Sequence, residues 1–148
     1  MKITSTLAIL SLAGFMGQAT AQSSCPAGTA RVNNVQSLAG GKTLCAVRNA
    51  DKWQEFHQGG PNSGNLFDYK RGPTDPVDPT SKVGTWTAAN GANSLLTHSY
   101  TGGSSYSWLV CQVGASSTYT LVSTAAAGTI NGATFAAPLH GCLVLLRC

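Results

Sequence analysis

From residue 43 onward the chain alternates short apolar or β-branched runs with clusters of turn-forming residues. The runs cover 43–47, 53–57, 66–69, 83–89, 94–100, 104–113, 118–126, 129–135 and 142–148. Between them stand Gly59-Gly60-Pro61-Asn62, Asn90-Gly91, Thr101-Gly102-Gly103, Gly114 and Gly128. Runs of this length between Gly, Asn and Pro predict strands, and Asn90-Gly91 is a strong hairpin signal.

Side chains repeat every second residue along a strand, which sorts the middle runs into two faces. Leu96, His98 and Tyr100 share one face, as do Tyr106, Trp108 and Val110, and then Tyr119 and Leu121. The opposite faces carry Leu95, Thr97 and Ser99, then Ser105 and Ser107, then Thr118 and Thr120. One side is therefore packed and the other rich in hydroxyls. Strands of this kind joined by short turns predict an all-β domain. The expected architecture is a small antiparallel up-and-down β-barrel of about eight strands, closed because closure removes exposed edges. A two-layer β-sandwich is the alternative. Residues 49–59 fit either a strand, with Trp53, Glu55 and His57 on one face, or a short helix started by Asn49 or Asp51 and stopped by Gly59. The strand is favoured.

The first 21 residues do not belong to this pattern. Lys2, the apolar stretch 7–15 and Ala19-Thr20-Ala21 form a signal peptide with a mature start at Gln22. The remaining 127 residues of the 148, positions 22–148, suffice for one disulfide-stabilised β domain. No later stretch is long and apolar enough for a membrane-spanning helix. The expectation is an exported protein of the periplasm or the extracellular medium, with no membrane insertion. Lys2 is one of nine basic side chains; the eight that remain against five acidic ones leave a formal charge of +3. Apart from Lys70-Arg71 they are scattered, so no nucleic-acid footprint is present.

Five cysteines, at 25, 45, 111, 142 and 148, would be mostly paired in an oxidising compartment. The preferred pairing is Cys25 with Cys45 and Cys111 with Cys142, which leaves Cys148 over. No CxxC or Cys/His spacing marks a zinc site. Neither a metal nor a cofactor is expected.

The aromatic residues are the main candidate site. Trp53, Trp86, Tyr100, Tyr106 and Trp108 fall in successive strands. They either line a cavity for a small apolar or sugar-like ligand, or simply build the core of a domain short of Leu and Ile. The stretch 70–82 holds Pro73, Pro76 and Pro79, and Lys70, Arg71, Asp75 and Asp78 are candidates for a rim beside the ligand. Asp75 and Asp78 alone offer too few oxygens for a calcium loop. On one strand face Glu55 and His57 lie about 7 Å apart, the spacing of a carboxylate that orients an imidazole. No nucleophile motif accompanies them. His98 reads as a core histidine and His140 as a loop residue. Positions 57, 98 and 140 show no metal-site spacing.

Three functions follow. The first is a binding module that holds a small-molecule ligand. The second is an interaction, structural or inhibitor module that engages an extracellular protein through the loop or the odd cysteine. The third is a hydrolase using Glu55 and His57; enzyme activity is not expected. Gly84-Thr85-Trp86 is similar to the Gly-x-Trp at the start of small ligand-binding barrels such as lipocalins and avidins. Here it lies mid-chain, and no functional residue is carried over from the resemblance.

Overall fold

Each run of alternating residues pairs with the next, because a short turn leaves an antiparallel neighbour as its nearest partner. The structure, a computed structural model, describes residues 24–48, 51–68, 81–125 and 128–137. In chain order its elements are β1 (Thr29–Arg31), α1 (Val35–Ala39), β2 (Thr43–Arg48), β3 (Asp51–Gly59), β4 (Ser63–Asp68), β5 (Ser81–Ala89), β6 (Leu95–Tyr100), β7 (Ser105–Val113), β8 (Tyr119–Ser123) and β9 (Thr129–Ala136). Successive strands from β2 to β9 are antiparallel neighbours, and β9 returns to β2 with Thr43 opposite Ala136 and Cys45 opposite Thr134. The ring is thus a closed eight-stranded up-and-down barrel, and the sandwich alternative is not adopted. The extra strand β1 runs beside the lower half of β7, with Arg31 opposite Cys111. The segment that fitted either strand or helix is the strand β3.

Closing so small a ring bends the strands sharply. The register shifts between Leu66 and Phe67, opposite the 82–84 stretch of β5. A Cβ on Gly84 would lie 2.1 Å from the Ser99 carbonyl oxygen, so only glycine allows β5 and β6 to approach this closely.

The inner faces build the core. Leu44, Ala46, Leu66, Trp86, Leu96, Trp108, Val110, Leu121, Ile130 and Ala133 are all buried in one cluster. One end of the barrel is closed by α1, whose Val35 and Ala39 are fully buried in that cluster. Sequence reading missed this helix, which has only five residues and no side-chain cap. It is docked rather than autonomous. Asn90 holds it by accepting from the Gln36 backbone N–H at 3.0 Å and donating to Asn34 Oδ1 at 3.0 Å. Asn90-Gly91 is therefore a docking corner as well as a turn, and Gly91 takes φ +86° there.

The disulfide expectation needs correction. Cys25 bonds Cys111, across 86 positions. Cys45 is also disulfide-bonded, so its partner is neither of these. The expected partners lay close in sequence, but β1 carries the N-terminal segment onto the outer face of β7. There Leu109, Cys111 and Val122 form a second buried cluster, with Cys25 and Leu95 packed against it. The outer face is consequently dry in this region, where alternation alone predicted a wet one. Higher up it is hydroxyl-rich as expected, with Thr97 and Ser107 hydroxyls 2.8 Å apart. The expected signal peptide, the 142–148 run, Cys142, Cys148, His140 and the rim candidates Lys70, Arg71, Asp75 and Asp78 lie outside the described residues. No helix among the described residues is long and apolar enough to cross a membrane.

Candidate functional site

Two strands that are not sequence neighbours bring together a buried row of polar groups inside the barrel. The strand period puts Trp53, Glu55 and His57 on the inner face of β3 and Leu96, His98 and Tyr100 on that of β6. Across the interior, His98 Nδ1 lies 2.8 Å from Glu55 Oε2, and the Tyr100 hydroxyl donates to Glu55 Oε1. His98 Nε2 lies 2.9 Å from His57 Nε2. His57 Nδ1 lies 3.0 Å from the Lys42 carbonyl oxygen. That carbonyl also accepts from the His57 backbone N–H at 3.0 Å. Glu55, His57 and His98 are all buried.

Counting protons fixes the state of this chain. The Lys42 carbonyl can only accept, so His57 Nδ1 carries a hydrogen. Glu55 accepts from Tyr100 on one oxygen, and His98 Nδ1 stands 2.8 Å from the other. One more proton is then required between the two Nε2 atoms, or two lone pairs would meet at 2.9 Å. The row therefore holds one proton more than a carboxylate and two neutral imidazoles, shared by Glu55 and His98 across their contact. Burial and the neighbouring His98 charge push the His57 pKa down to about 3. The proton between the rings therefore belongs to His98 Nε2, His57 Nε2 accepts it, and the Glu55–His98 pair carries no net charge. Burial first, and then the charges of Glu55 and Asp68, hold the Tyr100 hydroxyl protonated far above its ordinary range. All four imidazole nitrogens are engaged, which leaves neither ring free to take a proton from a nucleophile.

Above this row the aromatic candidates form a connected cluster at the end opposite α1. Trp53 lies 6.1 Å from Trp108 between ring centroids, Trp108 stacks on Tyr106 at 6.2 Å, and Tyr106 lies edge-on to Tyr100 at 5.9 Å. Trp53 also meets the His98 ring edge-on at 5.9 Å. Trp53 and Tyr100 are half-buried and Tyr106 is exposed, so the cluster is reachable from that end. Trp108 is buried, and its indole N–H has no hydrogen-bond partner.

Of the five aromatic candidates, the structure brings Trp53, Tyr100, Tyr106 and Trp108 together. Trp86 belongs elsewhere. It packs edge-on against His57 at 5.0 Å lower in the barrel, and its N–H donates to the Gln58 carbonyl at 3.0 Å. This is a satisfied core residue of β5, the fourth strand of the ring. Glu55 and His57 share a face as the strand reading had it, but they meet only through His98. The role of His98 was hidden because the β3–β6 contact depends on barrel closure. The available signal was its place between Leu96 and Tyr100 on an inner face. Among the described residues no group of three or more His, Cys, Asp and Glu side chains is arranged to hold a metal ion. No protein-family model, curated protein or solved structure matches the chain.

Proposed function

We propose that this protein is an exported binding module whose barrel takes a small molecule at the aromatic end. The observation that carries this reading is the asymmetry of the barrel. One end is plugged by Val35 and Ala39 of α1, while the other presents Trp53, Tyr100 and Tyr106 as a partly exposed aromatic surface over a buried polar row. Aromatic walls with a few fixed polar groups are the usual make-up of small-molecule sites. The Cys25–Cys111 disulfide agrees with folding in an oxidising compartment, and with export. The alternative of an interaction module has less support, since the exposed large apolar residues among those described are Val47 on β2 and Tyr106 and Val113 at opposite ends of β7. The hydrolase reading is the weakest, because the chain through Glu55 and His57 has no imidazole nitrogen to spare.

Native mass spectrometry of the mature protein, purified from its own host, tests the binding reading. The expected result is a bound mass of a few hundred daltons that disappears on denaturation. A clean apo mass from host material, with no small molecule captured from a host extract, overturns it.

A further inference from the structure

The polar inventory of the interior narrows the ligand class, and this inference rests on the binding reading above. Nearly every buried polar group is already spent. The Tyr100 hydroxyl is given to Glu55 Oε1, Glu55 Oε2 and His98 Nδ1 are turned to each other at 2.8 Å, and the other three imidazole nitrogens have hydrogen-bond partners. The Trp86 N–H is given to Gln58. Among the buried side-chain atoms of the described residues that make no hydrogen bond, His98 Nδ1 still has Glu55 Oε2 2.8 Å away, whereas the Trp108 indole N–H has no polar group to meet it. A buried donor left unmet costs stability, and a ligand that meets it recovers that cost. Trp108 is 2 % exposed, and it touches the exposed Tyr106 on one side and the half-buried Trp53 on the other.

Charge restricts the ligand further. Glu55 and His98 share one proton across their 2.8 Å contact, so the row beneath the cluster has no net charge to pair with an ionic ligand. A charged group brought beside it loses hydration without a partner. A sugar is equally ill-suited, because its several hydroxyls each need a partner and one donor is on offer. We infer that the site takes a neutral, largely apolar ring compound with a single acceptor oxygen, such as an aryl ketone, aldehyde or cyclic ether. That oxygen accepts from Trp108 Nε1–H, and the ring lies against Tyr106 and Trp53.

The test uses pairs of equal shape that differ in the acceptor: acetophenone against α-methylstyrene, and 2-acetylnaphthalene against 2-isopropenylnaphthalene, with methyl β-D-glucopyranoside as the sugar probe. Binding is followed by NMR on the full mature protein labelled with nitrogen-15, reading the three indole N–H signals. The ketones are expected to bind at least tenfold more tightly than the hydrocarbons and to shift the Trp108 N–H signal downfield. In Trp108→Phe, which keeps the ring and removes the donor, ketone affinity should fall to that of the hydrocarbon while hydrocarbon affinity stays the same. The wild-type shift needs no variant, so poor folding of Trp108→Phe does not remove the test. Equal affinities within each pair, or an unmoved Trp108 signal on ketone binding, overturn this inference and leave the binding reading standing. Preference for the glucoside does the same. If no probe binds, the ligand class is wrong; a clean apo mass from host material then decides separately against the binding reading.

Discussion

At the scale of single residues, the buried row from Tyr100 to Lys42 makes the protein sensitive to protons. His57 has an ordinary pKa of 6.5 when unfolded and about 3 when folded. Between those values the unfolded chain holds a proton that the folded chain lacks, so stability rises with pH across that window. At roughly 1.4 kcal/mol per unit the effect reaches several kcal/mol. Urea midpoints measured from pH 3 to pH 7 should therefore climb steeply and then level off near pH 7, and they should lose much of that slope in His57→Gln. A flat profile in the wild type would sink the assignment of a buried neutral His57. The proton count makes a second demand. Side-chain nitrogen-15 shifts at pH 7 should show hydrogen on His98 Nε2 and, on His57, on Nδ1 alone; a bare His98 Nε2 would contradict it. Removing the carboxylate has a cost as well. Glu55→Gln breaks the buried contact with His98 and the carboxylate's bond from Tyr100, and should destabilise by about 3–5 kcal/mol in urea denaturation.

At the scale of elements, the glycine of β5 and the docked helix α1 decide how the barrel closes. Gly84 sits where a side chain would strike the backbone of β6. Gly84→Ala should cost about 2–4 kcal/mol, more than an ordinary Gly→Ala exchange in a strand. An unchanged melting temperature would show that β5 and β6 can separate without loss. The helix contributes in a different way. Its five residues are far below the length at which a helix holds by itself, so its stability comes from burying Val35 and Ala39 and from the Asn90 bonds. Strands β5, β6 and β7 were legible because alternation and turn residues agreed. The helix was not, because five residues carry too little period to register. Strand β1 was missed for a similar reason, since three residues pair only because β7 is already in place.

At the scale of the whole molecule, the Cys25–Cys111 disulfide fastens the N-terminal segment to the seventh strand. It closes a loop of 86 positions, which on the chain-entropy view is worth about 4–5 kcal/mol. The double replacement Cys25→Ala with Cys111→Ala should therefore lower unfolding free energy by about that much, measured in urea. A loss below about 1 kcal/mol would mean that β1 is held by its pairing with β7 alone.

The sequence by itself determined the fold class, the positions of the eight barrel strands and the inner and outer faces of the middle ones. The period of two is local and survives in every run, so Leu96, His98 and Tyr100 could be placed on one face before any contact was known. The aromatic residues could likewise be singled out, since each falls on an inner face of its own strand. Tertiary structure decided which inner faces meet. Only closure of the ring sets β3 against β6 and puts His98 between Glu55 and His57, making one connected polar row out of three unremarkable side chains. The same closure divided the aromatics, sending Trp86 to the core and the other four to the reachable end. It also chose Cys111 over Cys45 for Cys25. Pairing across a barrel is fixed by register, tilt and chain path, and these are sums over all the strands rather than properties of any one of them.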